Sequence, residues 1–225
     1  MEAAAAARRQ AERDARERQR QRALSEVRSD PAAALARIGV PPRFRDARLD
    51  ACPDLPANLM EYLHWWASEP SGILFLHGAV GSGKTWAAVA VLREIILAGI
   101  LPAQEARFID EGEFLLRLKA GYGRGEGDRP ARNRPASHPR IVRLLVLDEL
   151  GATAGKPWAV ENVASLVGGR HADLLPTIIT SNFSLDALAR QLDPRISSRL
   201  AEAGQVLEFP ARDLRIDGSH RRPAP

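Results

Sequence analysis

The stretch Gly78-Ala79-Val80-Gly81-Ser82-Gly83-Lys84-Thr85 satisfies the spacing G-x-x-x-x-G-K-[ST] and directly follows the apolar run Ile73-Leu74-Phe75-Leu76. A buried strand, a glycine-rich turn and a helix form the context in which this spacing does chemistry. The glycines let the backbone curl until successive N–H groups face one phosphate, and a helix starting near Gly83 adds the positive end of its dipole. Lys84 is then placed for the β- and γ-phosphates and the Thr85 hydroxyl for magnesium, which makes residues 78–86, Trp86 included, the expected nucleotide-binding segment. A glycine turn that only caps a helix is the plainer alternative, and the flanking strand and helix weigh against it.

A second apolar run, Val142-Arg-Leu-Leu-Val-Leu147, delivers Asp148-Glu149 at its end. Parallel α/β sheets place their ligands at that end of their strands. Asp148 is expected to hold magnesium, directly or through water, and Glu149 to orient and deprotonate an attacking water. A third run, Thr177-Ile-Ile-Thr-Ser-Asn182, ends in polar side chains at the same edge. Asn182 is expected to sense the γ-phosphate or the water; it or Ser184 also suits a cap for the helix beginning near Leu185, and the two roles are compatible.

Five strands alternating with helices must position these groups. Beyond the three runs above, residues 105–109 and 205–209 read as strands, and 54–68, 86–98 and 158–171 as helices with apolar residues at helical spacing. The helix over 54–68 turns Leu59, Met60, Leu63 and Trp66 inward, and His171, at the end of the third, reads as a surface residue rather than a ligand. Pro41 and Pro42 exclude helix before Phe44, which suits either the core or the wall of an adenine pocket. Residues 1–30 hold Ala, Arg, Glu and Gln with few large apolar side chains, a solvated helix that is either a frayed tail or a docking helix for a partner. Residues 121–139 are rich in Gly, Pro and Arg and read as a mobile loop.

At 225 residues and 45% hydrophobic, the chain is long enough for one full core and a modest appendage. No window of eighteen uncharged apolar residues marks a membrane span, and the expected location is the cytoplasm. The lone Cys52 excludes an internal disulfide and a multi-cysteine zinc site. An isoelectric point near 9.8 directs attention to an anionic partner.

Taken in order, the phosphate loop, an intervening strand, the Asp148-Glu149 strand, the Thr-Ser-Asn182 strand and Arg195-x-x-x-Arg199 resemble the AAA+ ATPases. More narrowly, Ile38-Gly-Val-Pro-Pro-Arg-Phe44, Leu145-Val-Leu-Asp-Glu-Leu-Gly151, Arg170-His-Ala-Asp-Leu-Leu-Pro-Thr-Ile-Ile-Thr-Ser-Asn182 and Arg195-Ile-Ser-Ser-Arg-Leu200 resemble the DnaC/IstB-type group of bacterial helicase loaders and transposition helpers. The resemblance implies an α/β three-layer sandwich around a five-stranded parallel sheet, with a minimal C-terminal lid or none. It implies ATP and Mg2+ as ligands, Lys84, Glu149 and Asn182 in catalysis, and Arg199 as an arginine finger acting in trans within a ring or spiral of copies. Residues 114–122 match the part of this group that faces single-stranded DNA. The implied organisation is a charged helical extension over 1–37, an ATPase domain over 38–217 and a disordered tail over 218–225. The implied task is loading a replicative helicase onto single-stranded DNA; a transposase-partnered helper and an ATP-switched adaptor with little turnover are the alternatives. Three features depart from the group: a short N-terminal region without cysteines, a longer and more basic loop over 121–139, and no evident lid with a second sensor arginine.

The basic loop yields a prediction. Arginines resting on phosphates release counterions, so replacing Arg129, Arg132 and Arg134 with alanine should weaken single-stranded DNA binding evenly across sequences and flatten the slope of log affinity against log salt by about 0.7 per lost contact. Titrations at several salt concentrations check it, and an unchanged slope marks the loop as a solvated insertion.

Overall fold

Apolar runs too short for helices pair side by side as a five-stranded parallel sheet: β1 (Ile73–His77), β2 (Ala106–Asp110), β3 (Leu144–Leu150), β4 (Thr177–Ser181) and β5 (Gln205–Glu208), in the order β2-β3-β4-β1-β5. The computed structural model describes residues 2–52, 55–122, 138–202 and 204–210. Parallel neighbours need crossovers, and these are α4 (Lys84–Leu97), α5 (Glu111–Tyr122), α6 (Pro157–Ala172) and the pair α7 (Leu185–Gln191) and α8 (Pro194–Glu202). Ahead of β1 stand α1 (Glu2–Ser29), α2 (Pro31–Arg37) and α3 (Ala57–Ser68).

Alternation along each strand splits the core into two layers. Leu74, Leu76, Val146 and Ile178 face one side and pack with α2, α3 and α4. Ile73, Phe75, Leu145, Leu147 and Ile179 face the other and pack with α5, α6, α7 and α8. Burial on both faces explains why the central strands read as continuous apolar runs rather than alternating ones. The three-layer arrangement expected from the sequence is the one observed.

Element ends differ from expectation by a few residues where backbone chemistry intervenes. The helix expected from residue 54 starts at Ala57, because Pro56 is extended at φ −52°, ψ 140°. Its Leu59, Leu63 and Trp66 are buried, with Met60 packed at the margin. Trp66 Nε1 donates to Ser71 O at 3.0 Å and Gln205 Oε1 at 2.5 Å, tying α3 to β5. His171 is partly buried, with Nε2 3.2 Å from Glu202 Oε2.

The N-terminal region is helical, as its composition suggests, and its last turns pack against the domain. Val27 is buried, Arg20 donates to Gly99 O at 2.7 Å and Arg28 to Leu97 O at 2.9 Å. Two cations thus meet the carbonyl end of α4, where backbone acceptors lack intrahelical partners. Asp30 caps α2 by accepting from Ala33 N at 2.9 Å, with Pro31 in the first helical position. Ala34 and Leu35 of α2 are buried in the core, so the packing reaches back before residue 38, where the sequence reading placed the start of the domain. Two short Ala- and Leu-bearing turns carry too little periodicity to reveal this. The expected lid-less tail and the tip of the basic loop lie outside the described residues. No described helix is long and apolar enough to cross a membrane.

Opposite the strand ends that bear the candidate chemistry, Arg170 of α6 is fully buried. Its guanidinium donates to Thr177 Oγ1 at 2.8 Å, Val142 O at 2.7 Å, Pro139 O at 2.8 Å and Pro176 O at 2.8 Å. One side chain therefore ties the segments entering β3 and β4. Burial, with Arg140 nearby and Asp173 opposing, pulls its pKa down to about 9, still charged at neutral pH. Arg170→Met fills the space but strands these carbonyl acceptors, each at a cost of about 1–3 kcal/mol. We expect a loss of about 3 kcal/mol or more, seen as a fall in Tm of roughly 10 °C in thermal denaturation.

Candidate functional site

The glycine loop leaves β1 under steric constraint. Gly78 has φ 147°, and a Cβ there would lie 2.7 Å from Phe209 O, so the loop starts flush against the chain leaving β5. Gly83, at φ 93°, turns the chain directly into α4 at Lys84. No side chain caps α4, which leaves its first N–H groups as a site for an anion. Lys84 is buried, and its ammonium donates to Gly78 O at 2.9 Å, Ala79 O at 2.7 Å and Ser82 Oγ at 3.3 Å.

Two other strands end beside it. Asp148, at the end of β3, is buried, and its Oδ1 accepts from Thr85 Oγ1 at 2.9 Å and Thr180 Oγ1 at 2.5 Å. Burial pushes its pKa above the ordinary carboxylate range, while the two hydroxyl donors pull against that and the nearby Glu149 and Asp110 charges add to it. A buried carboxylate oxygen and a threonine hydroxyl are hard oxygen donors, the set that suits magnesium.

Glu149 is exposed and takes a left-handed backbone, φ 59°, where the β3–β4 register shifts between Leu147 and Leu150. Such a bulge re-aims a side chain, and a non-glycine residue held there costs about 1–3 kcal/mol. The structure over-determines it from both sides. Glu149 N donates to Thr180 Oγ1 at 3.0 Å, and Ala152 N donates back to Glu149 O at 3.1 Å. Ser181 Oγ donates to Leu150 O at 2.6 Å.

These strand ends share a cavity of about 560 Å³. Glu149, Thr180, Ser181 and Asn182 line one part; Val80, Gly81 and Gly83 through Trp86 line the loop side; Pro42, Arg43, Phe44 and Asp46 complete it. The volume falls in the range of small-molecule and cofactor sites. Gly78, Ala79, Ser82 and Asp148 are not on its wall; the first three hold Lys84 and the last holds Thr85. Phe44 packs at the core margin and also lines the cavity, with the Arg43 guanidinium 4.5 Å from its ring centroid. A larger cavity of about 620 Å³, bounded by α1, α2 and the end of α4, contains none of the residues singled out for chemistry.

Asn182 is exposed on the cavity wall, and the helix cap belongs to Ser184, whose Oγ accepts from Ala187 N at 3.3 Å. Arg199 does not line this cavity. Its Nη1 donates to Ala164 O at 3.3 Å and lies over Gly168, where a Cβ would come within 2.0 Å of that nitrogen. Arg195 is exposed and paired with Asp193 at 2.7 Å. Within residues 114–122, Phe114 and Leu115 are buried, Leu116 and Arg117 are exposed, and Lys119 is exposed with its ammonium 5.0 Å from the Trp158 ring centroid. Of the basic loop over 121–139, residues 123–137 fall outside the described residues.

No family model matches the chain, and no curated protein does. Solved structures do match. The DnaC helicase loader superposes with a TM-score of 0.62 at 24% identity, over 75% of this chain and 99% of that one. The fold is the AAA+ P-loop fold. DnaI matches at a TM-score of 0.57 and 22% identity, over 78% of this chain and 94% of that one. The replication initiator DnaA bound to AMPPCP and single-stranded DNA matches at 0.61 and 18%, over 77% of this chain and 52% of that one. At these identities the shared property is the AAA+ architecture.

Sequence reasoning missed Thr180 as a site residue. The available signal was a hydroxyl inside an otherwise buried apolar strand, which must find a partner. Thr180→Val keeps the shape, removes a donor from Asp148 and leaves Glu149 N without its acceptor. Chemical denaturation should show a loss of about 2 kcal/mol, and Thr180→Ser should retain most of the wild-type stability.

Proposed function

We propose that this chain is a magnesium-dependent ATPase that acts on DNA in the cytoplasm, loading a replicative helicase onto single-stranded DNA. The observation that carries the reading is the convergence of Lys84-Thr85, Glu149 and Asn182, which follow three different strands, on one cavity of nucleotide size, with Asp148 behind the wall holding Thr85. The likeness in fold to the DnaC helicase loader favours that task over transposition.

In this reading Lys84 exchanges its loop carbonyls for the β- and γ-phosphates, which also meet the N–H groups opening α4. Thr85 and Asp148 hold the magnesium ion, which supplies charge neutralisation at those phosphates when bound. Glu149, exposed to the cavity, orients a water and takes its proton, while Asn182 hydrogen-bonds the γ-phosphate or the water. Arg43, Phe44 and Trp86 line the part of the wall left for the base. Arg199, off its own cavity, acts on nucleotide bound by an adjacent copy in a ring or spiral. Single-stranded DNA lies along residues 114–122 and the basic loop.

Glu149→Gln keeps the water's hydrogen bond but cannot accept its proton, so it should retain ATP and lose turnover by about a hundredfold or more. Lys84→Ala should abolish nucleotide binding in a protein that still folds, with Tm lowered by a few degrees at most because Gly78 O and Ala79 O lose a donor. Nucleotide titration and phosphate release check both, and near-normal turnover in Glu149→Gln removes Glu149 as the base. Co-purification with a hexameric helicase supports the loading task; a transposase in its place, or ATP binding without turnover, replaces it with a helper or adaptor role.

A further inference from the structure

The buried carboxylate of Glu111 has no part in the roles above. It opens α5, immediately after Asp110, the β2 residue in register with Asp148 of β3. Its side chain is fully buried, and among the described residues no basic group pairs with it. Its contacts are instead with the segment that follows Glu149. Oε2 accepts from Gly151 N at 2.5 Å, and Oε1 accepts from Thr153 N at 3.1 Å and from the Thr153 hydroxyl.

The clasped segment has little room to shift. Gly151 has φ 99°, and a Cβ there would lie 2.6 Å from the Phe183 ring, next to Asn182. Ala152 N closes a turn onto Glu149 O, and Ala154 N closes another onto Gly151 O. The left-handed Glu149 is therefore fixed on its N-terminal side by Thr180 and on its C-terminal side by a turn whose anchor is Glu111.

We propose that Glu111 is a positioning residue for turnover: by holding the 151–153 backbone it keeps Glu149 in the conformation that faces the cavity. The inference rests on the ATPase reading of the site. Because α5 supplies the carboxylate, a displacement of α5 moves the Glu149 turn with it.

Glu111→Gln tests this with little change in volume. An amide nitrogen would then oppose the N–H of Gly151 or of Thr153, breaking part of the clasp. Misplacement of a catalytic group by an ångström or so costs about a hundredfold, so kcat should fall by about ten- to a hundredfold, while affinity for a fluorescent ATP analogue and KM stay within about twofold of wild type. Hydrogen exchange should speed up at the Gly151 and Thr153 amides and not in α4. Thr153→Val, which removes only the hydroxyl donor, should give a smaller fall in kcat of the same kind. Unchanged kcat with faster exchange overturns the proposal by making the clasp structural only. Parallel loss of nucleotide affinity, kcat and Tm overturns it by making Glu111 a fold residue. If the wild-type protein does not hydrolyse ATP, the functional reading fails and the positioning role falls with it, while exchange at Gly151 and Thr153 still reports whether the clasp exists.

Discussion

One oxygen of a buried carboxylate accepts hydrogen bonds from two hydroxyls carried by different segments, and the candidate site is built outward from it. Asp148 Oδ1 joins Thr85, in the first turn of α4, to Thr180, in β4. The three segments come from β1–α4, β3 and β4, which pair side by side only after the sheet has formed. Burying a carboxylate without partners is costly, so the site and the centre of the sheet stabilise each other. The same Thr180 oxygen that donates to Asp148 accepts from Glu149 N, so the alignment of one acidic residue constrains its neighbour.

The sheet's opposite edge is held by a different kind of bond. There Arg170 collects carbonyls from the segments entering β3 and β4. A guanidinium has several donors in a rigid plane, which lets one residue satisfy acceptors that several apolar side chains would leave open. Anchoring the strand entrances leaves the exits free to carry irregular backbone. The bulge at Glu149 occurs at those exits, and so does the loop closed by Glu111.

The N-terminal helix shows what composition leaves open. Its many charged residues read as a solvated helix, either a frayed tail or a docking helix, and in the structure two of its arginines meet carbonyls at the end of α4 and Val27 is buried. An arginine's charge on a sequence does not reveal whether water or a helix terminus will solvate it.

The sequence alone determined the parts of this protein that depend on local chemistry. The glycine spacing before Lys84-Thr85 dictates a turn into a helix, apolar runs of strand length dictate buried parallel strands, and the acidic pair after one of them falls at the edge where such sheets carry ligands. Only the tertiary structure decided what depends on residues far apart in the chain. Thr180 is 32 positions from Asp148 and Glu111 is 40 from Gly151, and neither hydrogen bond leaves a periodic or compositional trace. The left-handed Glu149 is equally invisible beforehand, because no residue type announces it and the distant groups that hold it are what make it possible.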